Sequence, residues 1–596
     1  MRLRPTSSLL AVCALLITSS NITVAADSTF KPTAQLRRPG ALVVGNDHAF
    51  VANRKSGTVS VINLKTKSVE SETLVGRRLS DLVGLPTTNL LVALDDDRHQ
   101  LILLQTTGSK LRVVQRLDVP HSPVRLQLST DGKLCAVTSL WSRRVTLIDL
   151  QESNFESQAK ELILPKLTVR KTLDMPFAPR LSKFLADDKR LIVTDAFGGN
   201  MAVIDVANRK LLSRPTLAGH NIRGLAIGHG GRELHVTHQS LNGNSTTTHE
   251  NVFWGGVMKN FVRSIPLDQL LTSINVGNPP DGSLYPLGHP SGATADPGAM
   301  LVTPRGEAAL LLTGVNEIAL RRRPREPFVR RKVGQRPTAI CLSTDEQTIY
   351  VANTFDDSIS QIDLDTLKVT ATISLGPQPK LTSAERGERL FFDARLSLDG
   401  WYSCHSCHTD GHTNGLLNDN FGDNYFGDPK LVPSLLGVGQ THPWAWNGKA
   451  VSLDKQIVKS ITVTMQGEKP SEQTVHDLTA YIKTLEPPPG LAVARGNVDQ
   501  KQITAGRLVF QKRGCVDCHA APKYTTGAVY DVGLADKSGN KEFNPPSLLG
   551  VSQRGPFFHD GRATTLRDVL TRFKHSLEQP LDAAELQAIL AFLKSL

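Results

Sequence analysis

Sulfur is scarce in this chain. Among 596 residues there are seven cysteines and six methionines. Cys13 lies in an apolar N-terminal stretch, and four cysteines form two C-x-x-C pairs, so only Cys135 and Cys341 serve the rest. That excludes a disulfide framework, which needs bridges spread along the chain. Cys135 and Cys341 lie in separate repeat units and read as buried thiols. Met465 is the only methionine after Met300, so residues 497–596 have none and methionine ligation of a metal from within that last stretch is excluded. No apolar run, the N-terminal one included, is long enough to cross a bilayer as a helix. Blocks of like charge are missing too. The net charge of +12 is spread along the sequence, and no nucleic-acid partner is expected.

The N-terminus is the exception. Arg2 and Arg4 precede an apolar run from Leu9 to Ile17, which leads to Val24-Ala25-Ala26. This reads as a signal peptide over residues 1–26, cleaved near Ala26. Val12 is too bulky for Cys13 to be a lipidation site. The expectation is an exported, periplasmic chain with no transmembrane anchor.

The paired cysteines are each followed at once by histidine: Cys404-His405-Ser406-Cys407-His408 and Cys515-Val516-Asp517-Cys518-His519. Two thioethers must reach two vinyl groups on one porphyrin edge, and the next residue then places an imidazole beneath the iron. C-x-x-C-H has that spacing. A zinc site pooling both pairs has enough thiolates, but leaves the histidine after each pair unexplained. The expectation is two covalently bound c-type haems, held by Cys404, Cys407, Cys515 and Cys518, with His408 and His519 as iron ligands. His405 faces away from its haem. His412 either lines the pocket or lies on the surface.

Residues 27–376 read as a seven-bladed all-β propeller. An apolar strand ending in V-A-N or V-T, a polar turn and a strand ending in I-D or I-N recur with a period of about forty residues. The markers are Val51, Val92, Val137, Val193, Val236, Leu312 and Val351. Longer gaps mark insertions near 151–165 and 242–290. The second is aromatic-rich and reads either as a loop packed on the rest of the chain or as a blade cap. The basic run at 321–332 reads as a solvated loop or a docking patch for an acidic partner. The strongest copies resemble the YVTN-type propeller family, which is a scaffold resemblance only.

Residues 377–596 repeat themselves. LTSAERGERLFFDARLSLDGWYSCHSCH, VPSLLGVGQ and WAWNGKA are answered in order by ITAGRLVFQKRGCVDCH, PPSLLGVSQ and FFHDGRA. An all-α tandem of two cytochrome c modules is expected, at 380–486 and 497–596, joined by a stiff EPPPG linker. These motifs resemble the bacterial di-haem cytochrome c peroxidases and their relative that oxidises a protein tryptophan pair during methylamine dehydrogenase maturation. The resemblance implies peroxide, or another small oxidant, at the His408 haem and electron relay through the His519 haem. A small redox protein or a protein substrate would be the partner, with the propeller as docking scaffold. It places Trp446 as electron carrier between the haems, Gln456 in the reactive pocket, and Gln466 where the family has a carboxylate. An amide cannot shuttle protons as a carboxylate does, so a non-catalytic electron-transfer or binding protein is the alternative. Asp423 and Asn424 stand where peroxidases carry a displaceable histidine. Phe573 stands at the sixth-ligand position of the second haem. His575 is the nearest candidate ligand there, and needs a bend to reach the iron. The family's calcium positions fall on Leu431 and Arg554, so coupling without calcium is expected, with Arg554 supplying the charge.

Overall fold

A computed structural model describes residues 30–86, 88–152, 165–228, 230–272 and 282–596. The signal-peptide reading and most of the 151–165 insertion fall outside the described residues.

Seven four-stranded antiparallel sheets follow one another at 39–74, 79–118, 123–174, 179–213, 220–287, 297–332 and 337–374. Within each, the strands lie side by side in chain order. Each first strand packs on the first strand of the next sheet, and Pro39–Val44 meets Pro337–Leu342, so the sheets close into a ring. This is a seven-bladed propeller. Every marker falls in the second strand of its blade, and all seven side chains are fully buried. Second strands are covered on both faces by neighbouring blades, so they read as continuous apolar runs. Leu90–Asp95, for example, is buried throughout, whereas the outermost strand Lys110–Asp118 alternates with solvent.

The ring is closed without strand exchange between its ends. The Arg37 and Arg38 N–H groups donate to the Asp357 carboxylate at 3.0 and 2.7 Å. Fully buried Arg37 also pairs with Glu72 at 2.8 Å, so both members of the buried pair are satisfied.

The 242–290 segment is less of an insertion than its length suggests. Met258–Pro266 and Ser283–Leu287 are the third and fourth strands of blade five. The loop at 242–257 is additional to the blade, and it packs on the helical region. Part of the 321–332 run is likewise structural. Arg330, in strand Val329–Lys332, pairs with Glu317 at 2.5 Å and donates to the carbonyls of Gly292 and Ala293.

The rest of the chain is helical and two-fold repeated. Ser383–Phe391 crosses Glu472–Ile482 in the first half, and Gln500–Lys512 crosses Ala583–Ser595 in the second. A glycine sits at each crossing. A Cβ on Gly387 would lie 1.9 Å from the Asp477 carbonyl oxygen, and one on Gly506 would lie 2.0 Å from that of Ala588. The same close approach in both halves is the structural imprint of the duplicated sequence.

Candidate haem sites

The first C-x-x-C-H motif forms a short helix, Cys404–Cys407, capped by Ser403. His408 follows it, and its Nδ1–H donates to the Pro433 carbonyl at 2.9 Å. That bond fixes the tautomer and leaves Nε2 free to ligate. Burial pushes the His408 imidazole down to about 4, so it is neutral, as a ligand must be. The second motif repeats the arrangement. His519 Nδ1 lies 3.1 Å from the Tyr524 carbonyl, with the Pro546 carbonyl also acting on it. Pro433 and Pro546 begin the two P-S-L-L-G-V-x-Q copies, so the duplicated motif presents a carbonyl to each proximal imidazole. The sequence displayed the duplication without revealing that purpose.

The environments of the two histidines differ beyond this point. Helix Leu566–Thr571 stops short, and the backbone turns with positive φ at Lys574 (45°) and Ser576 (52°). The backbone therefore bends on either side of His575. His575 is largely buried, its Nδ1 has no hydrogen-bond partner, and it is close enough for its charge to depress His519. Phe573 packs instead on Phe558, with ring centroids 5.5 Å apart. Of the two residues expected at the equivalent position of the first site, Asp423 pairs with Lys430 at 3.4 Å, and Asn424 Oδ1 lies 3.5 Å from Lys459 Nζ. Neither is a spare imidazole.

Gln456 lies on helix Leu453–Lys459 and donates to Ser460 Oγ at 3.2 Å. A single π-turn, Ser460–Thr464, follows, a distortion common at functional sites. Gln466 lies just beyond it in a left-handed conformation (φ 53°). Its amide nitrogen donates to the carbonyls of Thr247 and Val463, both at 2.7 Å. Thr247 belongs to the propeller loop at 242–257, so Gln466 is tied to the propeller.

Trp446 sits where the halves meet. Its Nε1–H donates to the Leu431 carbonyl at 2.8 Å, and the Leu431 N–H donates to the His559 carbonyl at 2.7 Å. In return the Asn544 N–H donates to the Trp446 carbonyl at 2.8 Å. Trp446 and His559, equivalent in the repeat, thus each accept one backbone bond from the opposite module. Arg554 departs from its expectation. It is part-buried rather than bridging, and its guanidinium donates to the Ser547 and Leu549 carbonyls of its own module. The coupling runs through other residues.

The propeller forms one wall of the first site. Asp296 accepts from Ser403 Oγ and Ser406 Oγ at 2.6 Å each, and His220 Nε2–H donates to the Ser406 carbonyl at 2.9 Å. Asp410, two residues past His408, takes Arg180 at 2.8 Å and Arg223 at 2.9 Å. Burial would raise the Asp410 carboxyl, but these two arginines hold it well below its usual range. His405 is buried against the Phe392 ring and accepts the Asp410 N–H at 2.9 Å. His412 is neither a surface residue nor a free pocket group. It lies beside the propeller's Phe197 and Trp141, bonds Ser434 Oγ at 2.9 Å, and donates to the Gln553 carbonyl of the second module at 3.2 Å. Sequence reading could not have placed it, because its partners come from three distant segments.

The donor sets fit two c-type haems. All four motif cysteines are free thiols, only partly buried, and each following histidine has a committed Nδ1 and an available Nε2. Residues 382–492 match the family model for di-haem cytochrome c peroxidase. Among relatives, cytochrome c551 peroxidase of Nitrosomonas europaea is 27% identical over 266 residues, 36% of this chain and 79% of its own length. Methylamine utilization protein MauG of Methylophilus methylotrophus is 25% identical over 288 residues, 36% of this chain and 82% of its own. A solved Kuenenia stuttgartiensis hydrazine synthase chain aligns at 18% identity with a TM-score of 0.45, covering 56% of this chain and 98% of its own. Residues 382–492 thus match the di-haem cytochrome c peroxidase family, and the helical region holds the attachment residues of two covalently bound c-type haems. In this chain it follows a seven-bladed propeller.

Proposed function

We propose that the protein is a periplasmic di-haem peroxidase-type oxidoreductase with two unlike haem sites. The observation that carries this reading is the asymmetry around the two imidazoles. His575 offers an enclosed, unpartnered imidazole nitrogen and its charge acts on His519, whereas Asp423 and Asn424, which the resemblance puts at the equivalent position of the first site, offer no imidazole and lie beside lysines. Iron held by His408 would supply peroxide reduction, and iron held by both His519 and His575 would supply electron storage and relay. A relay site keeps both axial positions filled, and a reactive site leaves one open.

The chain's own groups set the conditions. Pro433 and the Tyr524–Pro546 pair orient the two ligating imidazoles. Gln456 lines the reactive pocket. Gln466, whose two N–H bonds go to carbonyls, keeps its Oε1 as an acceptor. Trp446, bonded through Leu431 to the second module, lies on the path between the sites. The propeller forms a wall of the His408 site and serves as the docking scaffold for a partner protein that donates or yields electrons. A second reading, electron transfer without peroxide chemistry, draws on Gln466, which cannot exchange protons as a carboxylate does.

Mixing the reduced holoprotein with hydrogen peroxide separates the two readings. The peroxidase reading expects saturable peroxide consumption, sustained by a reduced small cytochrome. Electron exchange with that cytochrome, but no peroxide consumption above a free-haem control, would leave only the electron-transfer reading.

A further inference from the structure

Three carboxylates from both modules converge on one ammonium. Asp423 and Asp428 belong to the first module and Asp536 to the second, and one oxygen of each lies within 4.8 Å of the others. Lys430 Nζ stands among them, 3.4 Å from Asp423, 3.2 Å from Asp536 and in contact with Asp428. The cluster is enclosed: the side chains of Lys430, Asp428 and Asp536 are 14%, 5% and 3% exposed. The second module folds round it. The Lys537 and Ser538 N–H groups donate to Asp428 at 2.9 and 3.3 Å, while Asp536 accepts from the Asn540 N–H at 2.8 Å and Ser538 Oγ at 2.7 Å.

Three carboxylates this close repel one another unless a cation lies between them. Oxygen-only clusters of this kind suit hard divalent ions such as calcium. Here the positive charge is covalently attached, and the next residue is Leu431, whose carbonyl takes the Trp446 indole and whose N–H binds His559.

We propose that Lys430 is a tethered cation filling a three-carboxylate site between the two modules, and that it thereby positions the Trp446–Leu431–His559 junction. The site then needs no ion from solution, and nothing in this depends on the reaction the haems perform. Lys430→Ala vacates the site and should make the protein responsive to calcium.

The test compares wild-type and Lys430→Ala holoprotein in chelator and in calcium chloride. In chelator the variant should melt several degrees below wild type. Calcium should raise its midpoint by roughly 5 °C more than that of wild type. Equilibrium dialysis should find one more calcium per variant chain, and adding Asp536→Asn should abolish both gains. If Lys430→Ala does not accumulate, Lys430→Gln, which keeps a donor and loses the charge, takes its place with the same expectations. Midpoints equal to wild type in chelator, no additional ion, or gains that survive Asp536→Asn would each overturn the proposal.

Discussion

His412 shows how a single side chain is set by burial and by partners from three segments. Its Nε2–H is committed to the Gln553 carbonyl, and burial pushes the imidazole down to about 3 from an ordinary 6.5. Below pH 6.5 the unfolded chain takes up a proton that the folded ring refuses until about pH 3. Stability is therefore lost as pH falls through that window. His220 and His238, each pushed down to about 4 by burial, act in the same direction. The urea midpoint should accordingly decline below pH 6.5. His412→Gln should flatten the decline by one proton's worth, about 1.4 kcal/mol per pH unit. An unchanged slope would mean that His412 is protonated in the folded protein. Gln466 is a second case at this scale. Its amide makes two donor bonds that a carboxylate could not make, and one of them ties the end of the π-turn to the propeller.

Among the elements, the closest constraint is the paired helix crossing. Gly387 and Gly506 have no room for a methyl group, since the obstructing atoms are backbone carbonyls of the opposing helix. Gly506→Ala should cost on the order of 1–3 kcal/mol or more through forced separation of Gln500–Lys512 and Ala583–Ser595. Thermal unfolding followed at the haem absorbance would measure it. A substitution within 0.5 kcal/mol of wild type would show that the helices part freely. The elements themselves were largely legible in the sequence. The seven apolar markers lie on the second strands because those strands are buried on both faces, which leaves a continuous apolar signature. The duplicated motifs lie on equivalent elements because each half repeats one set of packing demands. What could not be read were contacts between distant segments. The blade-five segment read as an insertion because a sixteen-residue loop, 242–257, separates its second and third strands. Arg554 was assigned a bridge that Lys430 makes, because the converging carboxylates are brought together only by folding.

At the scale of the whole molecule, the propeller and the haem domain share one construction. Asp296 and His220 hold the Cys404–Cys407 helix, Arg180 and Arg223 hold Asp410, and Thr247 holds Gln466. The first haem site is thus enclosed by two domains, whereas His575 and His519, the two candidate ligands of the second, both come from the C-terminal module. The asymmetry of the pair is the centre of the functional account. Electron paramagnetic resonance of the oxidised holoprotein tests it most directly. The account predicts one low-spin bis-histidine haem and one high-spin haem, with His575→Ala converting the first signal and leaving the second unchanged. Two low-spin haems in the wild type, or a low-spin signal untouched by His575→Ala, would contradict it.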